Sequence, residues 1–409
     1  YPGRNLFLME AENLNDLFYD RRVAPLKIES RIGYALRRAK EIRYRAVGVP
    51  LVIFLLLVIA RLYYGPIDRN ASFVEYEGTQ LLVKNGNGML LTELEVGRPT
   101  VDYQNRGNAA EQLSLATLVD LNGDGLNELI HAVRVERGHI GLPSIQAWSV
   151  SGDSLIWERS ISFNHVYPRQ PAFVNRGLRA AEIQLQQTES GSKVLLNSSL
   201  IQYFQSVLFT IDARTGEIEQ EYLHPGRIED ILAVDVDNDE EDEILFTGVN
   251  NAYWNAMAGL LEYGEAGGYA PATEDYIPAN MEPARESRYL MLKKTVLAKY
   301  FETIWKYNIG QSIHYDELSE QLYITVVEGT SRFSEFEKDI RVLYYLDRNL
   351  KPIGVGTSDL YDIKVRRLFE NGEIPVEPDF DYFEALRDSI LYWTGEEFVP
   401  TQEYFKNGR

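Results

Sequence analysis

Apolar positions along this chain fall into two regimes. From Ala46 to Tyr64 they run almost unbroken, with Arg61 as the one charge in 19 residues. Beyond residue 65 they occur as short alternating runs separated by polar turns. Pairs of such runs flank Asn85 to Gly88, Ser151 to Asp153, Arg214 to Glu217, Glu265 to Gly268, Asp347 to Asn349 and Thr394 to Glu397. Each pair reads as a β-hairpin, because Gly, Asn and Asp supply the backbone conformations that tight turns need. The runs also resemble one another: Leu81 to Lys84, Ile145 to Val150, Val207 to Ala213, Leu343 to Leu346 and Ile390 to Trp393 each lead into a turn. Turns recur at intervals of about 47 to 82 residues. All-β units of roughly 50 to 60 residues predict propeller blades. The predicted fold class is therefore all-β, a β-propeller of about six or seven blades across residues 65–409. A short helix is expected around Phe380 to Leu391 and an insertion near 271–305.

The long apolar run predicts something different. Nineteen residues at about 1.5 Å each come close to crossing a hydrocarbon layer roughly 30 Å thick. Pro50 sits in the first turn, where a missing N–H costs little. A signal peptide would place its apolar run nearer the chain start, with a small-residue cleavage site after it. A buried core helix is rarely so uniformly apolar. The expected reading is a single transmembrane α-helix over 46–64, with Tyr63 and Tyr64 at an interface and Arg61 snorkelling. Nine Lys and Arg lie in residues 21–45, against Arg61, Arg69 and Lys84 in a similar window after the span. By the positive-inside rule the basic segment 1–45, partly helical, is cytoplasmic and residues 65–409 are extracytoplasmic. The expected location is a cytoplasmic (inner) membrane, with the bulk of the chain periplasmic or extracellular.

Two acidic stretches between β-runs carry the candidate chemistry. Asp120, Asn122, Asp124 and Glu128 occupy positions 1, 3, 5 and 9 of one loop; Asp235, Asp237, Asp239 and Glu243 do so in another. This alternation curls successive side-chain oxygens inward, and a hard cation taking six to eight oxygens is the natural occupant. The carbonyls of Leu126 and Glu241, at position 7, would add a ligand. Position 12 is His131 in one loop and Phe246 in the other, so neither is an EF-hand. The loops begin 115 residues apart, two units of about 57. A copy expected between them, near residue 177, has only Glu182 as an acid and predicts a blade without an ion.

These residues resemble the FG-GAP (integrin α-like) repeat and the related bacterial VCBS-type repeat. The resemblance covers roughly residues 80–270. Every position of the family's calcium loop is met from Asp120 to Glu128, including Gly125, whereas Glu240 stands where the second loop should have glycine. What the resemblance implies is structural Ca2+ in a propeller.

Composition narrows the remaining choices. The 41 Lys and Arg against 61 Asp and Glu give a formal charge of −20, divided into +4 over residues 1–45 and −24 over the rest. So acidic an outer region argues against a nucleic-acid partner, whose phosphates need cations. With no cysteine, disulfides, thiolate metal sites and cysteine nucleophiles are excluded. His131, His139, His165, His224 and His314 show no metal-ligand spacing and no nucleophile setting. Tyr253 with Trp254, and Tyr203 with Phe204, read either as binding platforms or as blade packing. Asn70 and Asn197 match the glycosylation pattern. The functional expectation is a non-enzymatic, calcium-stabilised propeller on a membrane stalk. It binds a protein or carbohydrate ligand in a sensor, adhesion or assembly role, as part of a chain continuing upstream of Tyr1. The alternative is an ectoenzyme with its site in the propeller channel.

Overall fold

The computed structural model describes residues 31–63, 68–77, 80–95, 115–133, 143–170, 177–200, 205–262, 264–302, 306–328 and 340–406. The expectations for residues 1–30, His139, Tyr203 and Phe204 lie outside them. The chain divides into two compact units, Tyr1–Ile67 and Asp68–Arg409.

The first unit contains helix α1, Arg31–Tyr63, with Pro50 inside it. Val49, Leu51 to Ile59 and Leu62 all expose their side chains. The expected membrane span corresponds to a helix, but among the described residues no helix is long and apolar enough to cross a membrane.

The second unit is a succession of sheets, five among the described residues, antiparallel throughout except for one short parallel pairing at the edge of the third. Strands are numbered in chain order. The first sheet is β1 (Ala71–Glu77), β2 (Gln80–Asn85) and β3 (Leu90–Glu95); the second is β4 (Ala116–Val119), β5 (Glu128–Val133), β6 (Ser144–Ser149) and β7 (Ser154–Ser160). The third runs β8 (Leu178–Gln186), β9 (Lys193–Leu200), β10 (Ser206–Asp212) and β11 (Ile218–His224). The fourth begins with β12 (Ile228–Val234), β13 (Glu243–Asn250) and β14 (Asn255–Leu261). Next come the short β15 (Gly268–Tyr269), which pairs back onto β11, and β16 (Arg288–Leu292), which pairs with β14. The fifth is β17 (Ile309–Asp316), β18 (Gln321–Val327), β19 (Arg341–Asp347) and β20 (Pro352–Thr357). The terminal hairpin, β21 (Leu391–Trp393) and β22 (Phe398–Pro400), returns to the fourth sheet through β16. The α-helices of the unit among the described residues are α2 (Val296–Phe301), α3 (Asp359–Glu370), α4 (Phe380–Asp388) and α5 (Thr401–Lys406).

The strand period of two sorts side chains between successive sheets. On β5, Leu129 joins a cluster with Leu81 and Val83 of the first sheet, while its neighbour Ile130 packs against Leu178 and Val194 of the third. On β9, Val194 and Leu196 face the second sheet and Leu195 faces Ile231 and Phe246 of the fourth. On β13, Phe246 faces the third sheet and Leu245 faces Ile324 and Val342 of the fifth. Sheets two to four are thus covered on both faces, and β9 and β13 are buried along their whole length. On β18, by contrast, buried and half-buried positions alternate strictly. Face-to-face stacking of consecutive meanders is the packing of propeller blades, here an arc of five.

The expectation of six or seven blades gives way to these five for three reasons. The stretch 359–406 is largely helical. Its one hairpin extends the fourth sheet instead of founding another. Glu265 to Gly268 is not a hairpin, because β15 leaves for the third sheet and β16 takes its place. The other five hairpin turns form as expected. The helix expected at Phe380 is α4; α3 has no counterpart among the expected elements.

Candidate functional site

Both acidic loops connect the first two strands of their sheets, β4 to β5 in the second and β12 to β13 in the fourth. The intervening third sheet makes the same connection with the short turn 187–192, about ten residues later than the sequence spacing suggested. The two loops share one conformation. Positions 4 and 6 have positive φ in both: 79° and 83° at Gly123 and Gly125, 66° and 74° at Asn238 and Glu240. The reason is visible in the hydrogen bonds of position 1. Asp120 accepts the N–H of Gly123 (2.7 Å) and of Gly125 (2.8 Å), and Asp235 accepts those of Asn238 (2.6 Å) and Glu240 (3.0 Å). Asn122 and Asp124 hold the N–H groups two residues on, as do Asp237 and Asp239. Leu126 and Glu241 at position 7 are the last residues so held.

Position 9 closes each loop from below. Glu128 accepts the N–H of Leu121 (2.9 Å) and Glu243 that of Val236 (2.8 Å); both glutamates are buried. Burial pushes the Glu128 carboxyl up, with Asp124 and Asp120 adding to it. Burial, then Asp237 and Asp239 among other acids, push Glu243 up to about 7. The N–H of Gly125, ahead of the other loop amides, holds Asp120 below the usual carboxylate range. A divalent cation among these oxygens would relieve the crowding of like charge.

The loops differ in how far their acids converge. One carboxylate oxygen each from Asp235, Asp237 and Asp239 lie within 4.8 Å of one another, and among the described residues this is the acidic group of that kind. In the first loop Asn122 takes the place of the second acid and turns its amide toward Glu128 (3.4 Å). The residues of the second loop therefore fit a divalent cation in geometry as well as in donor type, despite the missing glycine. Glutamate in the left-handed region costs about 1 kcal/mol. Glu240→Gly is accordingly expected to raise stability by about 1 kcal/mol in chemical unfolding, less the entropy that glycine adds to the unfolded chain.

Position 8 carried no signal in the sequence, yet it bolts each loop to the preceding sheet. Asn127 donates its Nδ2 to the Ala71 carbonyl (2.8 Å), and its N–H goes to Asn70 Oδ1 (2.8 Å). Asp242 accepts the N–H of Gln187 (2.6 Å) and donates its own to the Gln187 carbonyl (3.0 Å). Two further acids join neighbouring sheets. Glu182 on β8 accepts the N–H of Ile231 on β12 (3.2 Å), and Asp230 on β12 accepts that of Ile313 on β17 (2.8 Å). Burial, reinforced by Asp230, pushes Glu182 up to about 8; burial pushes Asp230 up to about 6.

A carboxyl raised on folding contributes stability that is complete below its unfolded value near 4.5 and is lost as pH rises through about 8. Melting midpoints are thus expected to fall by several degrees between about pH 5 and pH 8, with a flatter profile in Glu182→Gln. An unchanged slope in that variant would remove Glu182 as the cause. The opposite trend holds at the acid end. Burial lowers His131 and His224 to about 4, so their contribution is lost as pH falls from 6.5 toward 4.

The remaining candidates divide. Tyr253 packs edge-on against Phe398 at 5.1 Å, whereas the neighbouring Trp254, 42% exposed, lies under Lys306 Nζ at 4.2 Å from its ring centre. Asn197 is fully buried and bonded to the Ile228 carbonyl, which is incompatible with glycosylation of the folded chain. Asn70 is engaged by Asn127.

No family model matches the chain, and no curated protein matches it. Among solved structures it is similar to the Dos1 propeller at 11% identity and a TM-score of 0.37, covering 69% of this chain and 54% of that one. A rhamnogalacturonan lyase of Bacillus licheniformis has 12% identity and a TM-score of 0.36, with coverage of 69% and 45%. A GH43 β-1,3-galactosidase has 10% identity and a TM-score of 0.28, with coverage of 71% and 88%. The chain thus spans about half of the first two. Scores this low do not define a shared fold, which rests here on the sheet order and the packing between sheets.

Proposed function

We propose that this chain is a calcium-stabilised binding module, a non-enzymatic propeller held at a membrane by its N-terminal helix and presenting its sheets outside to a protein or carbohydrate ligand. A sensor, adhesion or assembly role suits such a module, within a longer signalling protein. The observation that carries the calcium part is the second loop, which adopts the same backbone as the first even though glutamate must take a positive φ to do so. A loop that tolerates this strain brings Asp235, Asp237 and Asp239 together. Side chains of Asp235, Asp237, Asp239 and Glu243 would hold the ion there, with Asp120, Asn122, Asp124 and Glu128 as the counterpart set. Bound calcium supplies charge neutralisation that ties the first two strands of a blade to each other. Through Asn127 and Asp242 it also ties each loop to the sheet before it.

The anchor follows from the apolar side chains exposed on α1, which water disfavours by about 25 cal/mol per Å2, and from the basic residues preceding them. Cell fractionation tests it. The chain is expected in the membrane fraction, resistant to carbonate and released by detergent; recovery in the soluble fraction would rule out the anchor.

A further inference from the structure

Beside the second loop, where the fourth and fifth sheets meet, the surface opens into a pocket of about 100 Å3. Asp237 and Glu243 reach it from the loop, Glu262 from the end of β14, Arg288 from the start of β16, and Arg348 with Asn349 from the turn between β19 and β20. Three carboxylates and two guanidiniums thus share one small space. Yet among the described residues neither Arg288 nor Arg348 forms an ion pair.

Arg288 is held from behind: one terminal nitrogen donates to the Ser287 carbonyl (2.6 Å), and the guanidinium lies 5.7 Å from the Tyr404 ring centre. Its Nε is buried with no hydrogen-bond partner. Opposite charges kept apart in one pocket are complementary to a molecule that carries both. A simple anion would leave Glu262 facing like charge, and a simple cation would face two guanidiniums. The volume admits only a few heavy atoms.

We propose that this pocket binds a small α-amino acid, its carboxylate held by Arg288 and Arg348 and its ammonium by Glu262. The arrangement goes beyond the protein or carbohydrate ligand proposed above by adding a small-molecule site of its own. It stands apart from the loop's cation, because Glu262, Arg288 and Arg348 lie outside the loop. When calcium engages Asp237 and Glu243, Glu262 is the pocket acid left for the ammonium.

Calorimetric titration of the full chain with glycine, alanine, acetate and methylamine, in calcium and again in chelator, tests this. Glycine and alanine are expected to bind about tenfold or more tighter than acetate or methylamine, since each one-charge probe forgoes a charged hydrogen-bonding partner. Arg348→Ala, on an exposed turn, should lower amino-acid affinity about tenfold with an unchanged melting midpoint; Glu262→Gln should abolish the preference for glycine over acetate. Acetate binding as tightly as glycine, or no response to either amino acid in both buffers, overturns the proposal. Calcium binding is read in the same cell, so a chain that binds calcium but no amino acid loses this inference alone. A chain that binds glycine but no calcium loses the calcium reading alone.

Discussion

Chelating calcium is expected to lower the melting midpoint of residues 68–409 by roughly 10 °C. A ligand present at about a hundred times its dissociation constant stabilises the folded state by about 2.7 kcal/mol, so two occupied loops would together contribute about 5 kcal/mol. Each kcal/mol moves the midpoint by roughly 2 to 4 °C in domains of about 150 to 250 residues, and by about 2 °C or less in a larger one. The effect should be divisible. Asp235→Ala removes the residue that holds the amides of Asn238 and Glu240, and with it one of the carboxylates proposed to hold the ion. It should therefore abolish about half of the calcium-dependent shift. It should also cost stability in chelator, because those amides lose their acceptor. Asp120→Ala should do the same through Gly123 and Gly125.

The second large effect is steric and independent of any ion. At Gly248 on β13 an added Cβ would stand 2.1 Å from the Arg227 carbonyl oxygen and 2.9 Å from the Ile228 Cα. Both obstacles are backbone, fixed by the ladder between β12 and β13. Across the seam, a Cβ at Gly310 of β17 would meet Thr247 Oγ1 at 2.1 Å and the Gly248 nitrogen at 3.0 Å. The fourth and fifth sheets approach this closely because neither strand carries a side chain there. Gly248→Ala is expected to cost about 3 kcal/mol, with a midpoint roughly 5 °C lower. Gly267→Ala is the control: a Cβ added there would find nothing within 4 Å, so its effect should stay within about 0.5 kcal/mol. Equal, small effects at the two positions would contradict the packing described.

What could be read from the chain follows the range of the interaction concerned. The turns at Gly88, Gly152, Gly216 and Gly395 were legible because a hairpin is set by the residues inside it. Glu265 to Gly268 looked the same and was not a hairpin, since the partner of β15 is β11, some 45 residues back. Blade count failed at the C-terminus for a similar reason: Leu391 to Pro400 reads as a hairpin in isolation, and only its pairing with β16 shows that it enlarges an existing sheet. The side chains of positions 1, 3, 5 and 9 in the acidic loops were legible from spacing alone. Glu240 was not, because the local penalty on a positive φ argued against a conformation that Asp235 nonetheless holds. Asn127, Asp242, Glu182 and Asp230 stayed hidden among many polar residues, as each acts on a neighbouring sheet whose position the sequence does not display.

Calcium binding is best tested by isothermal titration of the chelator-stripped chain with calcium, alongside Asp120→Ala and Asp235→Ala. Two sites are expected in the native chain and one in each variant. No heat of binding, or a stoichiometry untouched by either substitution, would contradict that expectation.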